Sequence, residues 1–315
     1  MSDPQLQELV RGVITSGDVG TVGAGLVSQD QFDAIWTLSE DKIPWAQIQA
    51  TIQKTAFTGT VNTIDYGDNV IRPAAEAIDV GTLVEQTSAH VPYTMVKGRV
   101  AFAPSFEATD QAANDLDLVN GFTRAFGRSM QKCAWNGDDT TVVVDDETAM
   151  LVWQDGWGVA IAAGGHQTDG STINAGDISE AHFSTALASL PTAWMTRWDE
   201  LKWSLGVKHY FALIARLSGR PTGVGDNFLT YGAKGQLLIY GIEAVMNPFL
   251  TTVFYLTHPK NTTTVVHPRA MTFTKVDSGA TVKLADIVLY ILHVHADFIV
   301  READGTARVH TLNAI

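Results

Sequence analysis

Cysteine is almost missing from this chain. Cys133 is its single thiol in 315 residues, which excludes an internal disulfide and any cysteine metal cluster. Charge is sparse as well. Only 17% of residues are charged while 45% are hydrophobic, which leaves little charge to cover an isolated monomer, and large subunit interfaces would account for that balance. Basic residues are the scarcer sign, 21 Lys and Arg against 34 Asp and Glu for a formal net charge of -13, and nowhere do three stand in a row. Gripping a phosphate backbone needs clustered cations, so reading nucleic acid is excluded as the main task. Long hydrophobic runs are absent too: no stretch approaches the roughly 18 apolar residues of a membrane span. Met1-Ser2-Asp3-Pro4-Gln5 also lacks the basic start and apolar run of a signal peptide. The expectation is a chain made and folded in a cytosol, with no membrane partner.

What is present is enough chain for two lobes, since single cores stop growing at roughly 250 to 300 residues. Residues 1 to 28 join a short apolar pattern (Leu6, Leu9, Val10, Val13) to a Gly-rich stretch from Gly17 to Gly25, and glycine gives a chain little stiffness; an extended arm is expected. Ser28 with Gln31 forms a capping box before a short helix marked by Phe32, Ile35 and Trp36, ending before Ile43-Pro44. From Ala50 to about Val100, turn signals at Gly59, Tyr66-Gly67-Asp68-Asn69, Arg72-Pro73 and Gly81 separate β-branched and aromatic residues, the pattern of a long β-hairpin with an irregular tip. An isolated two-stranded ribbon is marginal in water, so this one is expected to lie on a neighbour.

The strongest helix follows. Ala112, Leu116, Val119, Phe122, Phe126, Met130 and Cys133 recur at steps of three and four, one apolar face over about six turns, closed at Asn136-Gly137. Cys133 sits in that stripe and reads as a buried structural thiol. Beyond a strand-like Thr141-Val142-Val143-Val144 and a Gly-rich turn region near Gly156 to Gly170, helices are expected from Ser179 to Leu190 and from Val207 to Leu217. Phe183, Ala186, Leu187 and Leu190 form the buried face of the first, and Tyr210, Phe211, Ile214 and Leu217 that of the second. Strands are expected at 236–240, 252–256, 264–267, 270–275 and along the apolar run 287–300.

This order of parts resembles the major capsid proteins of tailed bacteriophages, the Hong Kong 97-like family. Val100-Ala101-Phe102-Ala103-Pro104-Ser105-Phe106-Glu107 leads into the long helix, Cys133-Ala134-Trp135-Asn136-Gly137-Asp138 closes it, and Asp155-Gly156-Trp157 follows. Tyr210 to Arg220 resembles the helix before a small loop, Gly223-Val224-Gly225-Asp226 resembles that loop, and Thr257-His258-Pro259-Lys260-Asn261 resembles the family's Asp-Pro-x-Asn turn, with His258 in place of the acid. The resemblance implies an α+β Hong Kong 97-like capsid fold: an N-terminal arm (1–50), an extended β-hairpin loop (51–100), a peripheral lobe (101–194) with a long spine helix at about 110–136, an axial α/β lobe (195–285) and C-terminal return strands (286–315).

The implied function is a shell of hexamers and pentamers, an icosahedral phage head in the virion, assembled in the host cytoplasm around double-stranded DNA without sequence-specific contact. The implied partners are further copies of the chain, a scaffolding protein, a portal protein and a decoration protein. Met1 at the start leads to the expectation that the scaffold is separate and that the chain is not cleaved; a noncovalent shell is expected. An encapsulin compartment is the close alternative and a cytosolic hydrolase the distant one. Phe32, Trp36, Trp45, Tyr66 and Arg72 are candidate subunit contacts.

No catalytic residue, metal ligand or cofactor is nominated. His293-Val294-His295 would place two imidazoles on one strand face, but nothing local adds a third ligand, and the pair reads as the outward face of a strand whose Leu292, Val294 and Ala296 are buried. No Gly-x-Ser-x-Gly elbow exists, and the stretch from Gly20 to Gly25 lacks the Lys-Ser/Thr of a phosphate loop. Trp194, Trp198 and Trp203 read as core and interface anchors.

Overall fold

The computed structural model describes residues 25–26, 33, 35–36, 45–65, 87–103, 116–218, 229–232, 236–276, 287 and 289–313. The Ser28 capping box, the hairpin tip and the Gly223-Val224-Gly225-Asp226 loop lie outside these residues. Strands among the described residues are β1 (Gly25–Leu26), β2 (Ala50–Gln53), β3 (Thr58–Asp65), β4 (Thr87–Thr94), β5 (Val96–Phe102), β6 (His166–Asp169), β7 (Lys202–Gly206), β8 (Leu229–Tyr231), β9 (Leu237–Ile239), β10 (Ile242–Asn247), β11 (Phe254–Thr257), β12 (Thr262–Val266), β13 (Thr272–Val276), β14 (Leu289–Val300) and β15 (Thr306–His310).

The first sheet is built around β14. Its order is β1-β13-β14-β12-β2, with β5 on the other side of β14. Strand side chains alternate between faces, and β14 shows this directly: Tyr290, Leu292, Val294, Ala296 and Phe298 are buried on one face, while His293 and His295 are half-buried on the other. The spine helix, described over Leu116–Asn136, contributes Phe122, Phe126, Met130 and Cys133 to the same core cluster as those residues. Phe102 of β5 ties the two layers together, with its ring 4.8 Å from Phe122 and 4.9 Å from Tyr290.

The helix ends where two glycine motifs meet. Gly137 N–H donates to Cys133 O at 2.8 Å, and Gly156 N–H donates to Gly137 O at 2.8 Å. A Cβ on Gly137 would stand 2.2 Å from Gln154 O, and one on Gly156 would stand 2.6 Å from Cys133 O. Backbone therefore packs on backbone, which only glycine permits. The Gly-rich stretch after it is not all turn: Trp157–Gly164 is a helix. Its alanines and Ile161 supply enough helix propensity and apolar surface to override the glycines. Trp157 is buried and donates its indole N–H to Thr263 O at 3.2 Å.

The second sheet runs β6-β15-β11-β7-β10-β9-β8. Trp203 and Phe254 form its central core with Phe183, whose ring is 5.0 Å from Trp203 and 4.6 Å from Phe254. Phe183 lies on helix Glu180–Ser189, which Ser179 and His182 open as a capping box. The helix Val207–Ser218 buries His209, Tyr210 and Leu213 and leaves Phe211 outside, 57% exposed. The expected apolar face is thus corrected: each residue turns the helix by about 100°, so burying 209, 210 and 213 points 211 away.

One further expectation changes and another is filled in. Strands β3 and β4 form the expected antiparallel ribbon, and its base packs on its own subunit, where Val61, Tyr93 and Met95 meet Val265 and Ile299. Thr141–Val144 joins no sheet, and Val142, Val143 and Val144 are 77%, 56% and 78% exposed. β-branched residues favour a strand only where a partner covers them, and this chain supplies none among its described residues.

Candidate assembly surface

The ribbon is anchored at its root by polar groups of the first sheet. Asp297, buried on β14, accepts from Thr94 N–H at 2.6 Å, Phe298 N–H at 2.8 Å and Gln154 Nε2 at 2.5 Å. Burial raises its pKa against the opposing pull of these donors. On the other leg, His267 contacts Thr55 O at 2.8 Å. Phe57, 47% exposed, lays its ring 4.7 Å from His267 and 4.9 Å from His295.

Beside Phe57 is a strip of positive charge. Register pairs Lys97 with His295 and Arg99 with His293; both cations are exposed and neither meets a carboxylate among the described residues. Burial first, then Lys97 and Arg99, lower the His293 pKa, and burial, Lys97 and His267 lower that of His295. The imidazoles are therefore neutral at neutral pH.

Opposite in sign is the loop after the spine helix. Asp138, Asp139, Asp145, Asp146 and Glu147 flank the exposed valines with no basic residue between them. Hydrogen bonds from Thr140 hold the Asp138 pKa below the usual carboxylate range, and bonds from Thr148 do the same for Asp145. Asp145 caps helix Asp146–Leu151, accepting Thr148 N–H at 2.7 Å. Asp138, Asp139 and Asp155 bring carboxylate oxygens within 4.8 Å of one another; Asp138 accepts from Thr140 N–H at 2.9 Å and Asp155 from Asp139 N–H at 2.9 Å, so these bonds shape the turn. The strip and the helix that follows the loop border one cleft of about 640 Å³, lined by Val100, Met130, Met150 and Trp153 and edged by Lys97, Arg99 and Asp146.

Of the sequence-nominated contact residues, Trp36 is half-buried and packs edge-on against Phe126 of its own spine helix at 6.5 Å. Trp45 opens the short helix Trp45–Ile48. Phe32, Tyr66 and Arg72 lie outside the described residues. Sequence reasoning missed Phe57, the exposed valines and the face carrying Phe211. The valines had a signal: a strand buried in its own chain is seldom bracketed by five acids within ten residues. Trp194 and Trp203 are buried as expected, while Trp198 is 51% exposed.

Two groups that could do chemistry are otherwise engaged among the described residues. Cys133 is buried in the spine core, and burial pushes its thiol up to about 12. Ser179 and His182 are in contact at 2.9 Å, but His182 is fully buried and its other nitrogen faces Gly170 O; the pair caps a helix and has no carboxylate behind it.

The two sheets, the spine helix and the ribbon together define the α+β fold of capsid shell subunits. A chain of the satellite phage P4 procapsid, a particle that includes a size determination protein, shares it at a TM-score of 0.68 and 15% identity, over 91% of this chain and 99% of that one. The capsid of an empty GTA particle matches at 0.57 with 13% identity, over 87% and 92%. The SrpI encapsulin of Synechococcus elongatus matches at 0.50 with 9% identity, over 93% of each chain. No family model and no curated protein matches the sequence.

Proposed function

We propose that this chain is the major capsid protein of a tailed phage, closing into an icosahedral head of hexamers and pentamers around double-stranded DNA. The observation that carries this reading is the shared fold across 91% of the chain and 99% of a phage procapsid subunit. Exposed Phe57, Trp198, Phe211 and the three valines support it, because large apolar side chains left outside a subunit mark places that other copies cover. The arm (1–50) and loop (51–100) reach neighbouring copies, and the lobes 101–194 and 195–285 fill the capsomer. A scaffolding protein, a portal and a decoration protein are the further partners, and the virion is where the chain works after assembly in the host cytoplasm. It carries out no catalysis in this reading.

Purified chain viewed by negative-stain microscopy forms curved or closed shells; a monomer or small fixed oligomer at all concentrations would refute the proposal. Particles recovered from an infected host protect DNA from nuclease. Particles that instead hold an enzyme cargo identify the encapsulin reading, which the SrpI likeness keeps in play.

A further inference from the structure

We infer that the cleft between β5 and helix Asp146–Leu151 receives the Asp138–Glu147 loop of a second copy of this chain, valines inward and acids on Lys97 and Arg99. The inference rests on the shell reading above. Three observations select this occupant. The cleft floor is apolar, made by Val100, Met130, Met150 and Trp153, and the loop offers Val142, Val143 and Val144 with most of their surface in water. Lys97 and Arg99, exposed cations on the sheet face of His295 and His293, border the cleft along the edge of β5 in a chain of net charge -13, whereas the loop places five carboxylates within ten residues. Asp139 and Asp146 are exposed and are free of the capping and turn bonds that engage the side chains of Asp138 and Asp145.

Geometry adds the second copy. The loop is held at its two ends by its own subunit, at Asn136 of the spine helix and at Asp146 of the next helix, and Asp146, Ala149 and Met150 of that second helix form one wall of the cleft. Two copies related by a two-fold axis can each place a loop in the other's cleft, the reciprocal arrangement of an isologous contact. Strand β5 also pairs only with β14 among the described residues, and an unpaired strand side is where a further chain can add. Charge complementarity of this kind sets partner choice and approach rate, and salt screens it.

The test is a charge exchange in the full chain, with assembly followed by light scattering and negative-stain microscopy. Lys97→Glu with Arg99→Glu, and separately Asp139→Lys with Asp146→Lys, are expected to reduce shell yield at least tenfold, and the chain carrying all four changes is expected to recover it. Wild-type chain run alongside separates the two claims: if it forms no shells, the shell reading fails. Wild-type shells together with normal shells from both exchanged pairs, or no recovery in the fourfold variant, overturn the docking alone. A second measurement does not depend on yield. Val143→Cys and Ala101→Cys chains, mixed before assembly and exposed to a copper-catalysed air oxidation that takes up the two electrons, should form a mixed disulfide in shells and none in capsomers held apart by high salt, with buried Cys133 as a silent background. Shells without that disulfide would count against the contact.

Discussion

Single side chains here are explained by the partners that burial gives them. His258 shows it best, standing in the turn Thr257-His258-Pro259-Lys260-Asn261. Its Nδ1 accepts from Lys260 N–H at 2.9 Å, the bond that an aspartate makes two residues along, and its Nε2 therefore carries the proton toward Glu200 at 2.9 Å. Burial lowers the His258 pKa despite Glu200, and burial also lowers those of His209, His293 and His295. Groups with depressed folded pKa values stabilise fully above their ordinary value and lose that stabilisation as pH falls through the folded one. Asp297, raised, works in the opposite sense and is outnumbered. Melting temperature should thus fall as pH drops below about 6.5, the ordinary histidine value, and a melt insensitive to pH down to 5 would contradict this. Replacing Asp297 by Ala leaves Thr94 N–H and Gln154 Nε2 without their acceptor, a loss of about 1–3 kcal/mol readable in denaturant unfolding.

Elements are held by close backbone approach as much as by apolar burial. The junction of Gly137 and Gly156 is the sharpest case. Gly156→Ala forces a methyl against Cys133 O and Ala134 O, with an expected loss of about 1–3 kcal/mol; a thermal melt matching that of the parent would show that the junction can relax. The spine helix was legible because six turns of one stripe outweigh local exceptions. The helix Trp157–Gly164 was not, since glycine usually signals a turn and its packing use depends on a Trp135 carbonyl far away in sequence. Phe211 was misplaced for a related reason: adjacent aromatics at 210 and 211 fit two helix faces equally well, and only the sheet beneath decides between them.

At the scale of the molecule, the ribbon and the loop are the elements that the capsid reading assigns to neighbouring copies. Val61, Tyr93 and Met95 fix the ribbon root to its own sheet, so joining residues 65 and 87 by a short turn should leave the subunit folded, with an unchanged circular dichroism spectrum, and unable to form shells. A shortened chain that still closed would overturn the role assigned to the hairpin. Phe211→Ser, on an exposed site, should shift stability by no more than about 0.5 kcal/mol while lowering shell yield, and an unchanged yield would remove that face from the proposed contacts.

Composition and periodicity by themselves determined the spine helix, the helix after Ser179 and the long apolar strand β14, because each depends on residues near one another in the chain, while the class of fold came from the resemblance of the order of parts to a known family. Tertiary structure alone decided which half of each amphipathic element faces inward, where the ribbon root is clamped, and that Thr141–Val144 is left without a partner strand. It also brought Lys97 and Arg99 to the rim of a cleft whose opposite wall begins at Asp146, almost fifty residues later. Such placements depend on which distant backbones pack together, and local patterns of sequence carry no record of that.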